Sequence, residues 1–346
     1  MDSADPSREG SRPDPSGRRP AQPRADRVVP GVWRLRLPLP WPGVPHGNAW
    51  AVATGDGITL FDTGIGGEGR LANLETALRQ AGFELGDVRL VVCTHTHADH
   101  YGLAGPIIDA AGCELWLHPA WDHVRRFVED PEGSLHQRIE VARQSGVPAE
   151  ALERYRETRK GESPTIERLV PPDRELVAGV EVPTDLGPWQ VYETPGHAPS
   201  HVCLHQPDRR LLISGDHLLG RISLFYDYGH VPDPAGDYLG GLDEIKGLDV
   251  GLCLSGHGRP FRDVQAKIEA TRTEATDQLG RVRDSLLDGS KPAFETIADL
   301  IGPDNLTPAT AAWGLQIALA YLDHLEATGE AESSEEDGKK VWRLAG

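Results

Sequence analysis

The sequence predicts an α/β protein in which two β-rich layers pack together, with helices outside them. Short apolar runs recur along the chain between Gly and Pro residues, and apolar residues with helical spacing lie between these runs. His and Asp residues directly follow several of the runs. The length of 346 residues and the 38% hydrophobic content fit one large core with a smaller addition.

Charge and cysteine usage narrow the classes of function. The 53 acidic residues against 35 Lys and Arg give a net charge of −18, which opposes binding to phosphate backbones. No apolar run is long enough to span a bilayer, and the four cysteines form no CxxC pair. We therefore expect a cytoplasmic protein with a small-molecule substrate and without nucleic-acid or membrane partners. A homodimer is compatible with the sequence.

Residues 1–27 are predicted to form a disordered tail. They hold five Pro, six Arg and five acidic residues, and no apolar residue larger than Ala after Met1. Such a segment buries too little surface to offset the entropy lost on ordering. A basic recognition arm is the alternative, but the interspersed acids nearly cancel its charge.

The first half of the following domain, predicted to span 28–262, alternates strands and helices. Apolar residues recur every three or four positions at 71–81 and at 103–108, which predicts two helices. The run at 90–93 is apolar throughout, so we expect a strand buried on both faces. The predicted strands of this half are 32–37, 48–54, 57–61, 90–93 and 114–118.

Residues 119–170 interrupt this alternation with a charged segment. Helical patterns at 121–129 and 135–144 predict an inserted helical cap, and a solvated helical hairpin without a chemical role is the alternative. Strands then resume, and the predicted ones are 176–182, 189–194, 201–205, 211–214 and 251–255.

Residues 263–346 are predicted to form a C-terminal extension. A long amphipathic helix is followed by helical patterns at 294–301 and 310–327 and by a hairpin within 330–344. Helix, helix and hairpin is the order of a winged helix. From residue 290 onward there are four Lys and Arg against ten acidic residues, which favours packing against a neighbour over reading DNA.

The densest group of metal-binding side chains is the H-x-H-x-D-H stretch formed by His95, His97, Asp99 and His100. It follows a buried strand and precedes a helix, so we expect it on a loop at a strand's C-terminal end, where α/β layers present functional groups. Imidazole suits zinc, copper, iron and nickel, and a carboxylate adds harder ions. Local hydrogen bonding would explain a lone His, but this density favours a metal site.

Three later residues complete this set. His197, Asp216 and His257 each follow a Gly at the end of a predicted strand. Each alone is weak support for a metal site. Because all three strands would end at the same edge as the H-x-H-x-D-H loop, the seven side chains together predict two metal sites.

This constellation resembles the metallo-β-lactamase superfamily over about residues 30–262, and most closely its glyoxalase-II-like group and members with a winged-helix-like extension. The resemblance implies a four-layer αββα metallo-β-lactamase sandwich. It also implies two divalent metal ions, zinc before iron or manganese. It assigns His95, His97 and His197 to the first ion, Asp99, His100 and His257 to the second, and Asp216 to a bridge between them. Asp62 is expected to orient the His loop, with a turn-capping role as the alternative.

The expected reaction is hydrolysis by hydroxide formed between two metal ions, with Asp99 as the catalytic residue that orients it and moves its proton. A small ester-like substrate is expected, a thioester before others. A ribonuclease of the same superfamily is an alternative that the extension favours and the acidic charge opposes. A mononuclear-iron persulfide dioxygenase is opposed by the complete second ligand set. A non-enzymatic binding module is opposed by the presence of all seven ligand-type residues.

Other histidines receive weaker assignments. His118 and His201 are expected to be structural or to support the ligands, because the ligand set is already full. His46 and His230, in Gly- and Pro-rich loops, are candidates for the rim of the pocket. Tyr226 and Tyr228 would line the pocket or belong to the core.

Overall fold

Two β-sheets packed face to face lie at the centre of the structure, a computed structural model that describes residues 21–41 and 43–346. The larger sheet holds, in order, β1 (Arg24–Val29), β2 (Val32–Trp41), β3 (Val44–Thr54), β4 (Gly57–Phe61), β5 (Val88–Val92), β6 (Glu114–Leu117) and β7 (Arg174–Glu175). The smaller sheet holds, in spatial order, β12 (Leu252–Ser255), β11 (Leu211–Gly215), β10 (Val202–Gln206), β9 (Trp189–Glu193) and β8 (Glu181–Val182).

Helices cover the outer faces of both sheets. In chain order, the helices of the described residues are α1 (Arg70–Ala81), α2 (Ala98–Tyr101), α3 (Ala104–Ala111), α4 (Arg125–Glu129), α5 (Pro131–Gln144), α6 (Ala149–Arg159), α7 (Pro234–Ile245), α8 (Val264–Ser285), α9 (Ala293–Ile301) and α10 (Pro308–Ala327). Of these, α1 and α3 pack on the larger sheet and α7 on the smaller one. Short 3-10 turns lie at Leu85–Asp87, Pro119–Val124, Leu286–Asp288 and Pro303–Asn305. Among the described residues, no helix combines the length and apolarity needed to cross a membrane.

Alternation along the strands builds the layers. Successive side chains point to opposite faces of a sheet. In β5, Val92 packs between the two sheets, whereas Val91 packs against the helices of the first half. Beyond the smaller sheet, Leu212 of β11 shares a core with Leu242 of α7 and Ile268 of α8. The order helix, sheet, sheet, helix confirms the predicted four-layer α/β fold.

The strand directions place several loops at one end of the sandwich. β4, β5 and β6 run parallel to one another, and so do β11 and β12. The residues that follow β4, β5, β11 and β12 therefore emerge at the carboxyl ends of parallel strands, where open α/β sheets carry their sites.

The expectation of a disordered tail through residue 27 is wrong for its last four residues. Arg24–Val29 forms β1, which pairs antiparallel with β2, and Val28 and Val29 pack against the core between the sheets. Pairing at the sheet edge gives this polar segment backbone partners that its composition does not reveal. Residues 1–20 lie outside the described residues.

The predicted single strand at 176–182 is also wrong, because the chain changes sheets there. β7 pairs with β6 in the larger sheet, and β8 pairs with β9 in the smaller one. Leu176 and Val182 are both buried between the sheets. They are apolar because the chain passes through the core where it crosses from one sheet to the other. α7 was not predicted: Gly236, Gly240 and Gly241 make it a weak helix-forming sequence, and the Asp233 side chain caps its first turn.

The C-terminal part, with helices α8 to α10, packs on the smaller sheet through a shared core. Its strands β13 (Lys291–Pro292), β14 (Ala331–Glu336) and β15 (Lys339–Leu344) form a three-stranded sheet. Tyr321 and Trp342 belong to the same buried cluster as Leu212 of β11. The insertion also reaches this part, since the Phe294 amide donates to the Ser145 carbonyl at 2.9 Å. The acidic extension therefore lies against the rest of its own chain.

One buried acid in this part predicts a pH-dependent stability. Asp323 of α10 lies 3.6 Å from the Lys340 ammonium with its side chain 18% exposed, and burial raises its pKa to about 6. The unfolded value is about 3.9, so the folded state disfavours the ionised carboxylate. The resulting loss of stability is complete above about pH 6 and disappears as the pH falls toward about 4.

Asp323→Asn is therefore expected to raise the free energy of unfolding by about 2 kcal/mol at pH 8 and by less than about 0.5 kcal/mol at pH 4. Urea unfolding at the two pH values measures the difference. Asp277→Asn, on the exposed side of α8, is the matched control and should change neither value. An equal effect of Asp323→Asn at both pH values would contradict the assignment.

Candidate metal centre

The H-x-H-x-D-H loop lies at the carboxyl end of β5. The backbone leaves the strand at Cys93, and His97 adopts an extended conformation immediately before the single turn of α2. This turn places Asp99 and His100 beside each other, both buried. The loop therefore carries two of its donors before the helix and two on the helix.

One group of donors combines this loop with the end of β9. A donor atom from each of His95, His97 and His197 lies within 4.8 Å of the others, and Nδ1 of His97 is 3.1 Å from Nε2 of His197. His197 reaches this place through Gly196, which has φ of 111°. A Cβ at Gly196 would overlap the backbone of α7, so only glycine allows this close approach.

A second group combines α2 with the loop after β12. Donor atoms of Asp99, His100 and His257 lie within 4.8 Å of one another, and Nε2 of His257 is 3.2 Å from Oδ2 of Asp99. The residue before His257 is Gly256, where a Cβ would overlap Oδ1 of Asp216 and lie 2.7 Å from Cε1 of His100. The site therefore requires glycine at 256.

Asp216, which follows β11, lies between the two groups. Its Oδ2 is 3.1 Å from Nε2 of His257 and 3.7 Å from Nε2 of His197, and its Oδ1 is 3.5 Å from Nε2 of His100. The structure thus brings all seven predicted ligand residues together, with Asp216 where a bridging carboxylate would stand. Their binding of metal ions stays a prediction.

Each of the five imidazoles is held by a protein acceptor on one ring nitrogen and faces the cluster with the other. The contacts are Thr94 Oγ1 with His95 Nδ1 (3.0 Å), Asp227 Oδ2 with His97 Nε2 (3.3 Å), Asp62 Oδ2 with His100 Nδ1 (2.9 Å), the Phe225 carbonyl with His197 Nδ1 (3.2 Å) and the His46 carbonyl with His257 Nδ1 (3.2 Å). Metal-binding histidines show this arrangement, because the outer hydrogen bond fixes the tautomer and the ring orientation.

Asp62 has the contacts of an orienting residue, as the sequence analysis expected. In addition to His100, it accepts from the Thr94 amide at 2.7 Å, and it is fully buried. Its φ of 60° is a left-handed conformation that Asp adopts more easily than most residues. Asp62 therefore fixes both the start of the His loop and one imidazole on α2.

Sequence reasoning did not identify Asp227. Its Oδ2 lies 3.3 Å from His97 Nε2, 3.5 Å from His123 Nε2 and 3.8 Å from His230 Nε2. His123 belongs to the insertion, so Asp227 links the insertion to the metal centre. The sequence offers only an Asp between two Tyr residues, and Tyr226 is fully buried, which places that tyrosine in the core.

His201 and His118 have supporting contacts, as expected. Nε2 of His201 accepts from the Asp216 amide at 3.1 Å, and its Nδ1 lies 2.9 Å from Thr194 Oγ1. His201 therefore fixes the backbone of the central carboxylate. His118 lies away from these donors, 3.0 Å from Glu193 Oε1, and its Nδ1 accepts from the Ala120 amide.

The charge balance of the cluster fits cations. Burial and His97 lower the pKa of His197 to about 4, so this imidazole is neutral and its lone pair is available. Burial opposes protonation of His257, but Asp216 and Asp99 raise its pKa to about 10. Without a cation, the carboxylates therefore keep a proton on an imidazole as their counter-charge.

Unpartnered donor atoms support the same conclusion. In the described part of the chain, His95 Nε2, His100 Nε2 and Asp216 Oδ1 are buried and have no hydrogen-bond partner. Buried polar atoms are rarely left without a hydrogen-bond partner. A donor atom from each of these three residues lies within 4.8 Å of the others. Imidazole nitrogens with carboxylate oxygens form a donor set that suits zinc, iron or manganese. The residues present therefore fit divalent metal ions.

The sequence is similar to a known family over more than half of its length. The family model described as "Metallo-beta-lactamase superfamily" matches residues 42–257. A probable metallo-hydrolase of Bacillus subtilis, YqjP, is 27% identical over 300 residues, which cover 83% of this chain and 90% of the relative. A beta-lactamase-like protein 2 homolog of Caenorhabditis elegans is 24% identical over 246 residues, with coverage of 70% and 67%.

Solved structures give the same match over most of the chain. A beta-lactamase domain protein from Burkholderia ambifaria has a TM-score of 0.79 and 27% identity, with coverage of 93% of this chain and 94% of the other. A metallo-beta-lactamase family protein from Thermus thermophilus has a TM-score of 0.77 and 25% identity, with coverage of 92% and 100%. Both similarities extend well beyond residues 42–257.

Proposed function

Because the chain is a hydrolase that belongs to the metallo-β-lactamase superfamily, we propose that it binds two divalent metal ions, with zinc as the first candidate. The proposed reaction is hydrolysis of a small ester-like substrate, with a thioester as the first candidate. The observation that supports this most is the convergence of five imidazoles and two carboxylates in two groups, with the Asp216 carboxylate between them. Each imidazole has one ring nitrogen held by a protein hydrogen bond.

The residues have separate tasks in this proposal. His95, His97 and His197 hold the first ion, Asp99, His100 and His257 hold the second, and Asp216 touches both groups. Bound divalent ions would polarise the scissile carbonyl and make hydroxide available near neutral pH. Asp62, Asp227 and His201 keep the donors oriented through their hydrogen bonds.

Asp99 is the proposed proton acceptor. Among the described residues, its ion-pair contacts with His100 and His257 involve Oδ2, at 3.5 Å and 3.2 Å, so Oδ1 can accept a proton from the attacking water. Burial opposes ionisation, but His100 and His257 hold the pKa of Asp99 below its usual range. The carboxylate is therefore ionised at neutral pH and can accept the hydrogen bond that orients water. Bound metal ions would lower the pKa of that water far enough for Asp99 to take its proton.

The test combines metal analysis with a substrate screen on the purified full chain. Two zinc ions per chain together with hydrolysis of thioesters support the proposal. Lactones and short RNA belong in the same screen. Hydrolysis of lactones alone would replace the thioester by another small ester, and cleavage of RNA alone would overturn the proposal in favour of the ribonuclease alternative. One iron per chain with oxidation of persulfides would overturn it, and so would two bound ions with no ester hydrolysed.

We also propose a reducing, cytoplasmic setting. The four cysteines are free, and Cys93, Cys203 and Cys253 are buried without a disulfide. Free buried thiols are typical of proteins kept in reducing compartments.

A further inference from the structure

Two arginines of β2, Arg34 and Arg36, lie on the inner face of the larger sheet. In the β2–β3 pairing, Arg34 opposes Trp50 and Arg36 opposes Asn48. Directly opposed residues of antiparallel strands share a face, and Trp50 packs between the sheets. Arg34 and Arg36 therefore lie on the face of the larger sheet that is turned toward the smaller sheet, whose edge strand is β12.

The strand next to Arg36 is joined directly to the loop that carries His257. The Asn48 side chain donates to the carbonyls of Ser255 (2.8 Å) and Gly258 (3.0 Å), and its backbone amide donates to the Gly256 carbonyl at 2.7 Å. The His46 carbonyl holds Nδ1 of His257 at 3.2 Å. Arg36 is thus one strand away from a predicted metal ligand, and the exposed Arg259 follows in the same loop.

Among the described residues, these arginines have little counter-charge beside them. In the described part of the chain, Asp26 is the carboxylate within 4.0 Å of Arg34, at 3.9 Å, and it lies closer to Arg24, at 2.7 Å. Arg36 has no ion pair within 4.0 Å there, although the chain has 53 acidic residues. The Nε atoms of Arg34 and Arg36 are buried and unpartnered.

This lack of partners is energetically unfavourable for the protein alone. The Arg34 side chain is 7% exposed, and burial and Arg36 lower its pKa to about 10. A buried guanidinium without hydrogen-bonded anions is destabilising, and guanidinium forks bind carboxylate and phosphate groups strongly. An anion at this place would offset the repulsion among the arginines.

We propose that Arg36 and Arg259, with Arg34 behind them, bind an anionic group of the substrate on the His257 side of the metal centre. The group is a carboxylate or a phosphate, which share the bidentate geometry that arginine recognises. This inference deepens the proposed function and rests on it for the bond that is cleaved. It adds that the ester-like substrate carries a negative charge away from that bond.

Binding of simple anions tests the site without any substrate. Glutarate and inorganic phosphate are titrated calorimetrically into the zinc-loaded full chain and into Arg36→Gln and Arg259→Gln. We expect each variant to bind one of the two anions at least about 10-fold more weakly, because one charged pair is lost. The anion that loses more affinity identifies the carboxylate or the phosphate as the source.

Arg209→Gln is the matched control. Arg209 is exposed in the turn between β10 and β11, at the opposite end of these strands from Asp216, and the variant should bind as the wild type does. Thermal unfolding checks that each variant folds. Arg259 is exposed, so its variant answers the question if Arg36→Gln unfolds. Unchanged affinity in a folded Arg259→Gln and in any folded Arg36→Gln would overturn the proposal.

A pair of thioesters separates this inference from the proposed function. One has a terminal carboxylate and the other the corresponding carboxamide, which is neutral and adds no second ester bond. We expect the wild type to prefer the charged member through KM, and Arg36→Gln to lose that preference because its charged partner is gone. If neither thioester is cleaved but anion affinity falls in the variants, the anion site stands and the thioester assignment fails. If both are cleaved equally well by all proteins, the anion site fails.

Discussion

Asp99→Asn is expected to lower kcat/KM for the substrate found in the screen by about 1,000-fold, the size of a lost general base. Asp99 is 6% exposed, and Oδ2 faces the imidazoles of His100 and His257. Asparagine keeps the shape of the side chain but cannot accept a proton at neutral pH. It also removes one negative charge from a group that is proposed to hold a cation. Steady-state kinetics with the zinc-loaded protein measures the change.

Two measurements make this result specific to the carboxylate. Asp109→Asn carries the same substitution on α3, where the side chain is 67% exposed and pairs with Arg168, and it should keep full activity. Zinc content then separates loss of the ion from loss of the base. Activity of Asp99→Asn within about threefold of the wild type would be too small a loss for a general base, and Asp99 would have another role.

The convergence of the seven candidate ligand residues could be predicted because chain order and strand direction determine it. His95, Asp216 and His257 each follow an apolar strand, and His197 follows the partly buried strand β9. These strands end at the same side of the sandwich. The H-x-H-x-D-H pattern therefore indicated the first four candidate donors, and the predicted ends of the later strands indicated the other three. The layers follow from the same signal, as the two faces of β5 illustrate.

What could not be predicted depends on contacts between distant segments. Asp227 meets His123 across 104 positions, and neither residue has neighbours in the sequence that suggest a site. That Arg36 has no ion pair within residues 21–41 and 43–346 is likewise a property of the packed sheets, since acidic residues are plentiful in that part of the chain. β1 is ordered by its pairing with β2, although its composition resembles that of a disordered segment.

Removal of the two proposed metal ions is expected to lower the melting temperature by about 10 °C, because each ion, present at about 1,000 times its Kd, would add about 4 kcal/mol to the stability of the folded state. The donors of the two groups are mostly buried and, in the described part of the chain, include three unpartnered atoms. Without a bound cation, these buried donor atoms would stay close together without a partner, which would lower the stability of the folded state. Thermal unfolding with zinc and with a chelator measures the difference.

His97→Ala tests whether this shift arises at the proposed site. Nδ1 of His97 lies 3.1 Å from Nε2 of His197, and its loss leaves the first group with two donors. The variant should lose about half of the zinc-dependent shift, since one of the two proposed ions would lose a ligand, and hydrolysis should fall with it. His136→Ala, on the exposed side of α5, should keep the whole shift. If His97→Ala responds to zinc and chelator as the wild type does, the stabilising ion lies elsewhere and the first group is not a metal site.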